Sequence, residues 1–131
     1  AMGRRPHPLP VVLAVILPGL MAGLPTGCAP PIPSGGFDAP DPASRIYAAV
    51  RVAEEFGRDP RMPDRATLEH LVAMLLSADP AERLIAGDTL RLVTGKDLGY
   101  DPSAPLPVRA AAADRWAAWV RALPPAGGPS T

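Results

Sequence analysis

Asp41-Pro42-Ala43-Ser44-Arg45-Ile46-Tyr47-Ala48 and Asp79-Pro80-Ala81-Glu82-Arg83-Leu84-Ile85-Ala86 lie 38 residues apart and agree at five of eight positions. In each copy an aspartate able to cap a helix precedes a proline at the first helical position, where the missing N–H costs nothing. In the second copy Glu82 stands three residues after Asp79, the spacing of a capping box. Two helices therefore start from one template. Apolar residues at helical spacing continue the first through Ile46, Ala49, Val50, Ala53 and Phe56 to a stop near Gly57. They continue the second through Leu84, Ile85, Leu92 and Val93 to Gly95, a residue suited to a helix C-terminus.

Two further helices repeat at a different spacing. Pro63, Arg65 and Ala66 match Pro107, Arg109 and Ala110 at an offset of 44, which also sets Val72, Leu75 and Leu76 on Trp116, Trp119 and Val120. The change from 38 to 44 implies a six-residue insertion between the third and fourth helices. The spacing predicts helices over about 42–57, 64–77, 80–94 and 107–123. Leu68, Leu71, Val72, Leu75 and Leu76 form the stripe of the second; Val108, Ala112, Trp116, Trp119, Val120 and Leu123 form that of the fourth. Pro124 and Pro125 stop the last helix, and residues 124–131 are expected to be a disordered tail. The expected fold class is all-α, a domain over 42–123 of two antiparallel helix hairpins.

The Asp-Pro-Ala-x-Arg-[Leu/Ile]-x-Ala helix start resembles that of HEAT repeats, two-helix α-solenoid units. The Thr94-Gly95 stop, the Gly99-Tyr100-Asp101-Pro102 loop and the Arg109…Arg115-Trp116…Trp119 helix are similar to a form found in bacterial HEAT-repeat proteins. The resemblance covers residues 41–123. It implies hairpins stacked as a short HEAT-like solenoid that serves as a binding scaffold, with no catalytic residue to carry over. Solenoids generally need three or more repeats to bury their faces. Trp116 and Trp119 are therefore expected to close the end of the core; the alternative is that one of them is exposed as a binding anchor.

Upstream of the repeats the chain changes character: ten of nineteen prolines lie within the first 42 residues. Arg4 and Arg5 precede an apolar run from Val11 to Leu17 that continues through Leu20, Met21 and Leu24 to the small residues Thr26 and Gly27. A cationic start, an apolar middle and a small-residue end predict a signal peptide over 1–27. The run is too short for a bilayer span and holds Pro18-Gly19 in its middle. The residues around Arg4-Arg5 do not fit a twin-arginine signal.

Thr26-Gly27-Cys28 resembles the lipobox of bacterial lipoproteins, which implies that the Cys28 thiol receives diacylglycerol and that a peptidase cuts just before it. Pro25 stands where that motif usually has leucine, with Leu24 one position early. The alternatives are an ordinary signal peptide beside a free cysteine, or an uncleaved anchor. Residues 28–41, rich in proline and glycine, would then be the anchor cysteine and an extended tether. The expected location is across the inner membrane, lipid-anchored on a periplasmic or other extracytoplasmic face. Ala29, in place of an inner-membrane retention aspartate, points to the outer membrane where the cell has one.

Composition narrows the function classes. Thirteen basic and thirteen acidic side chains in 131 residues leave no cationic excess for a nucleic-acid partner. One cysteine and two histidines exclude an intramolecular disulfide and a cysteine- or histidine-rich metal site. Without Arg4 and Arg5 the balance is 11 basic to 13 acidic. No serine–histidine pair sits in a nucleophile elbow and no glycine-rich loop follows a strand, so neither enzyme chemistry nor a cofactor or metal is expected. His70 lies off its helix's stripe and reads as a solvated side chain.

The 95–106 segment is long for a helix–helix connection, and its Lys96, Asp97, Tyr100 and Asp101 form a possible binding loop for a cation or peptide. Alternatively Tyr100 packs under the helices and Asp101-Pro102 makes a turn; two carboxylates are few for calcium. The function expected is a membrane-tethered, extracytoplasmic, non-enzymatic scaffold for a protein partner. The alternative is an extracytoplasmic subunit that binds a small ligand or cation through the 95–106 loop.

Overall fold

The computed structural model describes residues 27 and 29–125. The chain divides into two compact units, 1–30 and 31–131. Of the first, Gly27, Ala29 and Pro30 are described, in exposed backbone without helix or strand. The expected signal peptide up to residue 26, Cys28, and the tail beyond residue 125 lie outside the described residues.

The second unit is all-helical among the described residues. It comprises α1 (Pro42–Arg58), α2 (Arg65–Met74), α3 (Pro80–Thr94) and α4 (Leu106–Arg121), with a 3₁₀ turn at Gly36–Asp38 ahead of α1. Three helices begin on an aspartate whose carboxylate accepts the N–H three residues on. These are Asp41 from Ser44 at 2.8 Å, Asp64 from Thr67 at 2.8 Å, and Asp79 from Glu82 at 2.9 Å. Each satisfies one of the amides that a helix start leaves without a partner. At the end of α3, Gly95 takes the left-handed conformation (φ 67°), and its N–H returns to the Arg91 carbonyl at 2.9 Å. α2 is shorter than the predicted 64–77. Its chain tightens after Met74 into three-residue bonds, from Leu75, Leu76 and Ser77 to the carbonyls of Val72, Ala73 and Met74. That change of winding turns Leu76 off the stripe, and it is exposed rather than buried.

The direction of each helix follows from contacts near its ends. Val52 and Phe56, late in α1, share a groove with Thr67 early in α2, whereas Arg45 at the start of α1 lies with Ala73 and Met74 at the end of α2. α1 and α2 therefore run antiparallel. Arg45 and Glu82 pair through the first turns of α1 and α3, so those two run parallel. The Arg65 guanidinium, at the start of α2, donates to the carbonyls of Arg121 and Leu123 at the end of α4. α4 is thus antiparallel to α2 and runs the same way as α3.

That corrects the second expected hairpin. α3 and α4 are joined by a crossover that carries the chain back along α3 before α4 begins, a connection known from helix bundles. The six extra residues of the second copy supply the length for the return. The closest backbone approaches are α1 to α3, α2 to α3, and α2 to α4.

Ala49, Leu68, Leu71, Val72, Met74, Leu75, Ala86, Leu90, Val93, Ala112, Ala113, Trp116 and Val120 make one core. Trp116 is fully buried, and Trp119 packs edge-on against it at 5.9 Å, half-buried. The expected core positions Leu84, Leu92 and Val108 are instead about half exposed. On α3 the buried face includes Ala86, Leu90 and Val93, whereas Leu92 lies on the flank shared with Ile85 and Asp88. The C-terminal part of the predicted tether is also folded. Phe37 stacks on His70 (5.1 Å between centroids, 6° between planes) and Ala39 is buried. His70, expected to be solvated, is half-covered by that ring.

Candidate functional site

Two polar constructions hold the elements in place. The first joins the two copies of the repeat. Arg45 donates from Nε to Glu82 Oε1 at 2.6 Å and from Nη2 to Oε2 at 3.0 Å, a two-pronged pairing. Ser77 Oγ donates to the same carboxylate at 2.5 Å. Glu82 is 1% exposed and does not reach back to its own cap as a capping box would; Asp79 N–H goes to Ser77 Oγ instead. The Arg45 guanidinium, with Ser77, holds the Glu82 carboxyl below the usual carboxylate range against the opposing effect of burial. The template arginine has one task in both copies: Arg45 Nη1 donates to Ala39 O and Arg83 Nη1 to Ser77 O, each six residues back. The repeated motif thus pins the chain ahead of each helix.

The second construction is the crossover. Four arginines take the carbonyls of alternate residues along it: Arg115 that of Leu98, Arg91 that of Tyr100, Arg83 that of Pro102 and Arg109 that of Ala104. Arg83 and Arg91 come from α3, Arg109 and Arg115 from α4. The segment therefore lies between two parallel helices and is gripped from both. Lys96 Nζ sits 5.6 Å from the Trp119 ring centre at its upper end. Tyr100 is 3% exposed and donates from Oη to Leu75 O at 2.5 Å, tying the crossover to the end of α2. Burial raises its phenol pKa, opposed by the cations Arg109, Arg83 and Arg91.

Gly87 makes room for that ring. A Cβ at residue 87 would lie 3.0 Å and 3.2 Å from two Tyr100 ring carbons. Alanine normally gains about 0.5–1 kcal/mol over glycine within a helix. Here the ring is fixed at both ends and cannot yield, and overpacking costs about 1–3 kcal/mol. Gly87→Ala is expected to destabilise the domain by about 1–2 kcal/mol in urea unfolding. In a Tyr100→Ala background the same change should become stabilising.

The four residues of the possible binding loop have separate engagements. Asp97 Oδ1 accepts from Gly99 N–H at 2.8 Å and lies 3.8 Å from Arg91 Nε. Asp101 Oδ1 accepts from both N and Oγ of Ser103, the first of which lowers its pKa most. Tyr100 is in the core and Lys96 is exposed over Trp119. Among the described residues no group of three or more His, Cys, Asp or Glu side chains is placed to hold a metal ion. None of the helices there is long and apolar enough to cross a membrane. One buried side-chain donor, Arg109 Nη1, has no hydrogen-bond partner among them.

Sequence reasoning missed the four-arginine grip because its acceptors are backbone carbonyls, which every residue carries. It missed Glu82 because the capping-box spacing offered a local partner. The available signal was the template itself, where serine at position 44 is replaced by a carboxylate at 82 opposite a retained arginine. Comparison with protein-family models, curated proteins and solved structures returns no match.

Proposed function

We propose that this chain is a membrane-tethered, extracytoplasmic, non-enzymatic interaction module, anchored through lipid on Cys28 and presenting the helical domain to a protein partner. The HEAT likeness, carried by residues 41–123, supports this reading; the crossover between α3 and α4 departs from a second antiparallel hairpin. One observation supports a module over a catalyst. Buried Glu82 and Tyr100 have their polar atoms engaged by Arg45, Ser77 and the Leu75 carbonyl, while large apolar side chains, Leu84 and Leu92 among them, face solvent on α3. Buried polar groups so engaged rigidify a domain, and the exposed leucines offer apolar contact area. The alternative, ligand capture by the 95–106 loop, could not use the Tyr100 hydroxyl without breaking its bond to Leu75 in the core, and would rest on Asp97 and Asp101, each of which closes its own turn through Oδ1.

Photo-crosslinking of the full chain in its native envelope, with the reactive group placed in turn at residues 76, 92 and 108, tests the reading. A discrete protein adduct from at least one position is expected. Absence of adducts from all three, together with calcium- or magnesium-dependent shifts of loop amides by NMR, would replace it with the ligand-binding alternative.

A further inference from the structure

The parallel pairing of α1 and α3 leaves a groove on the side of the pair away from α2. It has a volume of about 380 Å³ and is lined by Val50, Ala53 and Glu54 from α1 and by Ile85, Asp88, Thr89 and Leu92 from α3. Its floor is aliphatic. The lining positions recur at three- and four-residue steps on both banks, so each bank presents a continuous ridge along its helix. Leu92 is 51% exposed, and among the described residues only α1 and α3 line the groove.

The charges on this groove have one sign. Glu54 stands on the α1 bank and forms no ion pair among the described residues, and Asp88 stands on the α3 bank. No cation lines the groove. Asp88 does pair with Arg91 at 3.1 Å, but its carboxylate is 61% exposed, and such surface pairs are weak and readily exchanged. Arg91 is also held by the Tyr100 carbonyl on the crossover. Two copies of the chain meeting through this face by a two-fold axis would set like charges together. An incoming segment with apolar anchors and flanking cations meets no such opposition.

We infer that the α1/α3 groove receives an amphipathic helix of the partner protein, seated by apolar residues at i, i+3 or i+4 and i+7 and flanked by lysine or arginine facing Glu54 and Asp88. This rests on the reading of the chain as an interaction module and names the partner's chemistry. Two parallel ridges closing on an apolar helix stripe is a recurrent mode of helix-in-groove recognition. The acidic banks select for charge and set the orientation.

The test uses the ¹⁵N-labelled full chain and two synthetic helical peptides of about 15 residues. They share one leucine pattern; one carries lysine and the other glutamate at the flanking positions. The lysine peptide is expected to shift amides of residues 50–54 and 85–92 and to bind at least about tenfold more tightly than its counterpart. Leu92→Gln, at an exposed position that leaves the fold intact by circular dichroism, should weaken it about tenfold, and Glu54→Lys should erase the preference. Equal binding of both peptides, shifts confined to other faces, or concentration-dependent self-association that perturbs the same amides would overturn the inference. A crosslinked partner at residue 76 or 108, with no peptide effect at the groove, would leave the interaction module standing and remove only this site.

Discussion

Replacing Glu82 with alanine is expected to cost the domain about 3–5 kcal/mol, the range for removing one partner from a buried ion pair. The reason is the guanidinium left behind: Arg45 would keep its place beside α3 with two of its three acceptor contacts gone. Ser77 Oγ would lose its acceptor as well. Glu82→Gln, which keeps shape and one acceptor oxygen, should cost less. The double change Glu82→Leu with Arg45→Met should recover much of the loss, because a well-packed apolar pair does not carry the desolvation of two ions. Chemical unfolding of these proteins, together with Glu82→Leu and Arg45→Met singly so that the double change closes a double-mutant cycle, separates these outcomes. If Glu82→Ala unfolded at the wild-type midpoint, the pair would not join α1 to α3.

The same pair sets a dependence on pH. Glu82 has a folded pKa below its ordinary value of 4.5. A group so depressed binds fewer protons folded than unfolded, so its contribution is complete above about pH 4.5 and is lost as pH falls through the folded value. Asp41, Asp64 and Asp101 are lowered in the same sense, chiefly by the backbone N–H groups of Ser44, Thr67 and Ser103. Acidification should therefore destabilise the wild type, and Glu82→Gln should flatten the acid limb without abolishing it.

Tyr100→Ala is expected to be comparably severe, about 3–5 kcal/mol, the cost of truncating a buried aromatic to alanine. The ring fills the space over Gly87, and its hydroxyl is the bond that fastens the crossover to the end of α2. Tyr100→Phe should isolate the hydroxyl, at about 1–3 kcal/mol for leaving a buried acceptor unpaired. The two differ in where the damage appears. Loss of the ring should raise hydrogen exchange through residues 97–105 before the rest of the domain responds, because α1, α2 and α3 keep their own contacts. Exchange that rose uniformly would mean that the crossover is not a separable unit.

Both residues show what was legible in the sequence. The aspartate caps at 41 and 79 and the glycine stop at 95 are local devices, and the helices they delimit stand close to where the spacing predicts. Helix content follows from such devices; helix direction does not. The six-residue offset marked the connection between α3 and α4 as different, yet the same length could have made a loose hairpin. What decides for a crossover is that Tyr100 finds a glycine at 87 and a free carbonyl at Leu75, a coincidence of positions distant in sequence. Helical spacing puts Leu84, Leu92 and Val108 on apolar stripes, but the helix packing leaves them about half exposed.

The loop residues show the same limit. Asp97 and Asp101 look like ligands in a sequence, because a carboxylate that closes its own turn has the same letter as one that awaits a cation. Phe37, inside a stretch whose prolines and glycines read as tether, is anchored by a ring on His70 that its own neighbours do not reveal.

The tether at Cys28 is what would make this domain a membrane-facing module rather than a free one, and it has a direct measurement: the intact mass of the chain recovered from the membrane fraction, wild type beside Cys28→Ala. The wild type should begin at residue 28, carry the added mass of diacylglycerol with or without an amide-linked acyl chain, and sediment with membranes. The variant should carry no lipid mass and leave that fraction. A wild-type chain without acyl mass, or one recovered equally from the soluble fraction in both forms, would contradict the lipid anchor and the location built on it.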